Sequence, residues 1–220
     1  LRSKEMSAAG LAGVWAESNT REDIYGAMES KETFATSGSR IQVRLFGGVR
    51  SDFDMDDENW VSSAYEHGST MGSDIEEQSI APNFAIWAIK DPNGANLDRI
   101  QVIKAWINDE GFAQEEIIDV VWSGDRDIVN GKLESVGNTV NTENATYTNT
   151  IGSVELKTIW TDPDFDPSKA SLYYLRVLEI PTPRWSTYDA EALKIKPLES
   201  LKATIQERAW SSPIWINTKK

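Results

Sequence analysis

Cysteine is absent from these 220 residues, and histidine occurs once. Without cysteine there is no disulfide, no thiolate nucleophile and no zinc–thiolate centre. One imidazole cannot build a multi-histidine metal centre. The lack of disulfides fits the cytoplasm and an extracytoplasmic compartment such as the periplasm equally, because a chain of this length can bury a real core without covalent staples. Long apolar runs are missing too: none approaches the roughly 20 residues that a membrane-spanning helix needs. The opening LRSKEMSAAG has no apolar stretch of the kind a secretory leader carries. It also has no starting Met, so a fragment or processed product is expected. Basic charge is scarce, with 22 Lys and Arg against 35 Asp and Glu and a formal net charge of −13. Nucleic-acid binding leaves a basic footprint, and there is none here. A solvated acidic surface is the simpler reading.

What remains is the composition of an ordinary globular protein, 40% hydrophobic and 26% charged. LAGVWA (11–16) reads as a short buried strand. Asn19 or Thr20 can cap a helix after it, with Glu22 and Asp23 in the first turn, where the helix dipole favours acids. Ile24, Ala27 and Met28 form its apolar stripe, and it should end near Lys31. ETFATSG and RIQVRLFGG read as extended, the second with Ile41, Val43 and Leu45 alternating with Gln42 and Arg44. An acidic loop, SDFDMDDEN, then leads to a short helix expected at 57–66. Beyond Pro82 six segments rich in Val, Ile, Trp and Tyr predict an antiparallel sandwich: NFAIWAIKD, LDRIQVIKAWIND, EEIIDVVWSG, SVELKTIWTD, SLYYLRVLEI and SSPIWIN. The polar stretch 129–150 reads as loop or ragged hairpin. Trp87, Trp106, Trp122, Trp160 and Trp215 lie within apolar strand patterns. They are expected to fill the space between two sheets rather than to form a carbohydrate platform.

The candidate chemistry is sparse. His67 precedes Gly68 at an expected helix end, where an imidazolium sits well on the C-terminal dipole; a structural role is expected. Asp52, Asp54 and Asp56, and again Asp162, Asp164 and Asp166, imitate a calcium loop. The sixth and twelfth positions, which an EF-hand fills with Gly and Glu, hold Asp57 and Ser63 in the first and Pro167 and Tyr173 in the second. Both runs fail the pattern. No nucleophile elbow, P-loop or dinucleotide fingerprint occurs. Three polar stretches are left. The turn Thr36-Ser37-Gly38-Ser39-Arg40 offers hydroxyls and a guanidinium that can clamp a carboxylate or phosphate. IPTPRWSTYD is stiffened by Pro181 and Pro183 and presents Arg184 beside Trp185. ERAWSSPIW places Arg208, Ser211 and Ser212 before a strand. These suit a pocket rim, and they equally suit loops pinned across a sandwich with Arg stacked on Trp.

Three stretches in this order, GLAGVWAESNTREDIYGAMESKETFATSGSRIQVRLFGG, YYLRVLEIPTPRWSTYDA and IQERAWSSPIW, resemble the C-terminal portion of the bacterial family catalogued as domain of unknown function 3604. That family is related to the PHP (polymerase and histidinol phosphatase) hydrolases, and some members, the carbaryl hydrolases, cleave carbamate esters. The resemblance implies an α+β, mainly β chain. Residues 1–48 would be the terminal strand–helix–strand of a metal-dependent (β/α) barrel, and residues 49–220 a β-sandwich-like module appended to it. The family's metal ligands, His-x-His and Asp-x-His pairs with further acids, lie upstream of the first motif and have no counterpart here. The chain is thus expected to hold no metal ligands, no catalytic residue and no activity of its own. A divalent ion, Zn or Mn, is expected in the full-length parent. Thr36, Ser37, Ser39, Arg40, Arg184, Trp185 and Ser211 would form a substrate-binding rim. The implied partners are the missing N-terminal part of the same protein, a small-molecule ester, carbamate or phosphoester in the parent, and a second copy of the chain. The alternative is an autonomous β-sandwich that binds a glycan or peptide.

Overall fold

The computed structural model describes residues 10–76 and 78–218; residues 1–9, counted above with the strand–helix–strand part, lie outside them. The chain begins with β1 (Leu11–Val14), α1 (Arg21–Glu29), β2 (Thr33–Thr36) and β3 (Gln42–Val49). Helix α2 (Trp60–His67) leads to β4 (Ser69–Thr70), β5 (Asp74–Ile75) and β6 (Asn83–Ile89). The long strands β7 (Leu97–Ile107) and β8 (Ala113–Trp122) follow, then β9 (Ile128–Val129), β10 (Lys132–Leu133) and β11 (Glu155–Thr161). The chain closes with β12 (Ser171–Glu179), β13 (Thr182–Pro183), α3 (Trp185–Leu193), β14 (Thr204–Ile205), β15 (Arg208–Ser211) and β16 (Ile214–Ile216).

Two sheets make the core. In one, β12 is the hub: β7 and then β8 pair along one side, while β15 and β16 share the other. From there β15 leads to β2 and β1, and β16 to β5. The second sheet runs β11-β6-β3-β4. Pairing is antiparallel except between β16 and β5. The inward rows alternate as a half-buried strand must: Val43 and Leu45 on β3, Phe84 and Ile86 on β6, Ile100 and Val102 on β7, and Tyr173, Leu175 and Val177 on β12 meet in one cluster. Burying these rows between two sheets is the main stabilising term, about 25 cal/mol for each Å² of apolar surface removed from water. Phe46 and Ala85, on the outer face of the second sheet, are covered by α2 and its approach through Met55, Trp60 and Ala64. The fold is α+β and mainly β, as expected.

Residues 11–48 enter this sandwich directly. Strands β1 and β2 pair antiparallel, Leu11 against Thr36 and Val14 against Thr33, and β2 continues onto β15. Two successive strands of a (β/α) barrel run parallel. Strand β3 then joins the opposite sheet, and the Trp15 indole ties the two by donating to the Val43 carbonyl at 2.9 Å. The Arg44 guanidinium lies over the same indole, 3.6 Å from its centroid. Strand β1 is an exposed edge rather than a buried strand. Helix α1 starts as the sequence implies, with the Thr20 hydroxyl accepting from Asp23 N–H. Its Ala27 is buried, yet Tyr25 and Met28, one turn apart, stand 67% and 58% exposed. Helix α3 was not foreseen. The prolines of IPTP end before it, and Arg184 occupies its N-cap position with extended backbone angles.

Candidate functional site

The Thr36–Arg40 turn sits at the end of the sandwich where β12 finishes. The Thr36 hydroxyl accepts from Gly38 N–H (3.2 Å), an arrangement that closes the turn locally. Ser37 reads the neighbouring strand: its N–H donates to the Arg208 carbonyl (2.9 Å), Arg208 N–H donates to its hydroxyl (2.8 Å), and that hydroxyl donates to the Glu207 carboxylate. Arg40 N–H donates to Asp91 Oδ2 at 2.8 Å, which fastens the turn to the loop after β6. Asp91 Oδ1 in turn accepts from Asn93 N–H (2.9 Å). Lys90 spends its ammonium on backbone, donating to the carbonyls of Asp91 (2.8 Å) and Gly94 (2.9 Å). The other side is held by Asn96, whose side chain donates to the carbonyls of Asn149 (3.2 Å) and Ile151 (2.9 Å). Gly152 makes that approach possible. It adopts φ +81°, and a Cβ there would fall 2.6 Å from Asn96 and 2.7 Å from Ile180.

Within this frame lies Glu179, the last residue of β12, only 2% exposed. Its backbone is satisfied, N–H to the Glu207 carbonyl (2.9 Å) and carbonyl from Gln206 Nε2 (2.8 Å). No cation contacts its carboxylate, and the hydroxyl beside it is that of Ser39, whose Oγ is buried. Burial pushes the carboxyl up to about 7, and the carboxylates of Glu207 and Asp91 add to the shift, while Ser39 and Lys90 only partly oppose it. The same end gathers two tyrosines. The Tyr147 phenol is raised by its own burial and then by Glu179 and Asp91. That of Tyr188, on α3, is raised by burial and then by Tyr147. A carboxyl balanced between its two protonation states at neutral pH, with no ion pair to satisfy it, can take or give a proton or hold a polar ligand.

The structure thus brings Thr36, Ser37, Ser39 and Arg40 together. Arg184 and Trp185 open α3 after β13; Arg184 N–H donates to the Ala203 carbonyl (2.9 Å), and its guanidinium lies over the Trp185 ring at 5.0 Å. Ser211 lies elsewhere. Strand β12 changes partner from β15 to β16 near Leu175, and the buried Ser211 hydroxyl accepts the Leu175 N–H (2.9 Å) that this change leaves unpaired. Glu179, Asp91, Glu207 and Tyr147 were not singled out from the sequence. For Glu179 a signal existed: it continues the inward row Tyr173, Leu175, Val177, where a carboxylate is costly to bury.

The acidic runs are engaged in turns and ion pairs. Asp54 Oδ1 accepts from Asp56 N–H (2.8 Å) and Asp162 Oδ1 from Asp164 N–H (2.9 Å). Asp56 pairs with Lys157, and Asp162 with Lys104 at 2.6 Å. Among the described residues no group of three or more His, Asp or Glu side chains is arranged to hold a metal ion. His67 closes α2, 3.8 Å from the Glu66 carboxylate.

A family model described as "Protein of unknown function (DUF3604)" matches residues 1–218. No curated protein and no solved structure matches the chain.

Proposed function

Because the chain belongs to the DUF3604 family, we propose that it is the β-sandwich part of a metal-dependent hydrolase, contributing one wall of the substrate pocket while the metal ligands belong to another part of the parent protein. The observation that carries this reading is the buried Glu179 carboxyl with no cation in contact, beside the Ser39 hydroxyl. In the complete enzyme the divalent ion would supply an activated water. Arg40, at the exposed lip of the turn, would face the developing negative charge. Glu179 would hold or pass a proton and Ser39 would orient the substrate's polar atom. Three carboxyl groups converge here and the Lys90 ammonium is committed to carbonyls. That favours neutral esters and carbamates over phosphoesters. Strands β1 and β2 pair antiparallel and continue onto β15, and the reading places the metal-bearing barrel in another part of the parent. Exposed Tyr25 and Met28 on α1 offer that part a docking face.

The test is hydrolysis of 1-naphthyl acetate and its N-methylcarbamate analogue by the parent protein loaded with Zn or Mn, beside the 220-residue chain alone. The reading expects turnover by the parent, none by the chain, and a lower kcat with a displaced pH profile in Glu179→Gln. Turnover by the chain alone, or a Glu179→Gln parent indistinguishable from wild type across the pH range, would overturn it.

A further inference from the structure

The opposite end of β12 holds a cavity. It measures about 210 Å³ and is lined by Lys104, Trp106, Glu116, Asp164, Asp166, Lys169 and Ser171. Lys104 and Glu116 face each other across the β7–β8 ladder, a register in which opposite charges normally meet. They do not meet here. Lys104 is drawn inward, donating to Asp162 (2.6 Å) and to the Asp164 carbonyl (2.8 Å), and its ammonium lies 5.3 Å from the Trp106 ring centroid. Glu116 therefore keeps a carboxylate without a hydrogen-bond or ion-pair partner among the described residues, and the Asp164 carboxylate is in the same position. Lys169 closes the other side, held loosely between Asp109 (3.2 Å) and Asp166 (3.6 Å). Ser171, 7% exposed, lines the cavity, its buried hydroxyl beside the Tyr173 phenol.

We infer that this cavity binds a small zwitterion, with the ligand's ammonium between Glu116 and Asp164 and its carboxylate toward Lys169, Lys104 and Ser171. The lining carries both signs of charge, Glu116 and Asp164 beside Lys104 and Lys169. A simple anion would meet the carboxylates and a simple cation the ammoniums, while a molecule carrying both finds a partner for each of its charges. Trp106 gives an aromatic surface for the aliphatic part or for a quaternary nitrogen. The volume suits a compact amino acid or a betaine.

The experiment is a ¹⁵N NMR titration of the full chain, read at the Trp106 indole N–H and the Lys104 and Ser171 amides, with L-alanine, glycine betaine, propionate and ethylamine as separate probes. The Trp106 signal is assigned from Trp106→Phe. A zwitterion is expected to shift these signals with a dissociation constant of millimolar order, as suits a few polar contacts on a small ligand. Alanine binding without betaine would identify a primary ammonium; the reverse would identify a quaternary one. Propionate and ethylamine should leave the signals in place. The exposed Glu116→Gln should weaken binding by roughly tenfold, the size of one charge-assisted hydrogen bond, without altering the rest of the spectrum. No shift with either zwitterion, equal shifts with propionate or ethylamine, or unchanged affinity in Glu116→Gln would overturn the inference.

Discussion

The two ends of β12 bury acids of opposite fate. Near its start, Asp162 receives the Lys104 ammonium at 2.6 Å and the Tyr173 hydroxyl at 2.7 Å. At its finish, Glu179 is equally buried but has no cation in contact: the Ser39 hydroxyl, other carboxylates and backbone-bound Lys90 surround it. Between them Leu175 and Val177 pack into the same core. The contrast separates structure from availability. A buried acid with a cation in contact is a brace whose removal loosens the fold. A buried acid without one keeps its proton near neutral pH and weakens the fold whenever it ionises, which a fold tolerates where the group is used.

The largest expected effect breaks the brace. Asp162→Ala leaves the Lys104 ammonium buried and unpaired and takes the acceptor from Tyr173, so it should cost about 3–5 kcal/mol in urea unfolding. A loss no larger than that of a surface change would erase the distinction between the two ends.

Next comes the orphan acid, where the sign is opposite. The folded-state pKa of Glu179, about 7, lies above the ordinary 4.5. Its contribution is therefore fully present below about 4.5 and is lost as the pH rises toward 7. Glu179→Gln should match wild type near pH 4 and exceed it at pH 8. The gain is bounded at roughly 3 kcal/mol, since each pKa unit is worth about 1.4 kcal/mol. Thermal melts across that range check it, and a variant less stable than wild type at pH 8 would contradict it.

A smaller effect belongs to the middle of the strand. Ser211→Ala removes the acceptor of the buried Leu175 N–H and should cost about 1–3 kcal/mol in the same unfolding assay. Substrate affinity of the parent should not change, because Ser211 lies away from the turn. Smallest of all, Arg50→Ala removes an exposed ion pair with Asp52 and should leave the unfolding midpoint where it was.

The strands beyond Pro82 were legible as runs rich in Val, Ile, Trp and Tyr, and β3 by its period-two alternation, although the resemblance placed β3 with a barrel rather than with the sandwich. The helix caps of α1 were legible for a similar local reason. Other features depended on distant partners. LAGV looks buried by composition, yet its place at the sheet edge follows from what β2 pairs with on its far side. Helix α3 was hidden behind Pro181 and Pro183, which mark a stiff loop but end just where a helix can begin. The Thr36–Arg40 turn announced itself by its hydroxyls and glycine, whereas Ser211, similar in chemistry and also near an arginine, turned out to serve a strand junction. Tyr147 stands in a polar run that gives no hint of reaching Glu179, since only the folded loop brings it there.

The most direct measurement is a ¹³C NMR titration of the Glu179 side-chain carboxyl in the intact chain, assigned with Glu179→Gln. A midpoint near 7 is predicted, with Asp91→Asn shifting it downward as a like charge is removed. A midpoint at or below 4.5 would mean that Glu179 is an ordinary solvated or paired acid, and would contradict the site built around it.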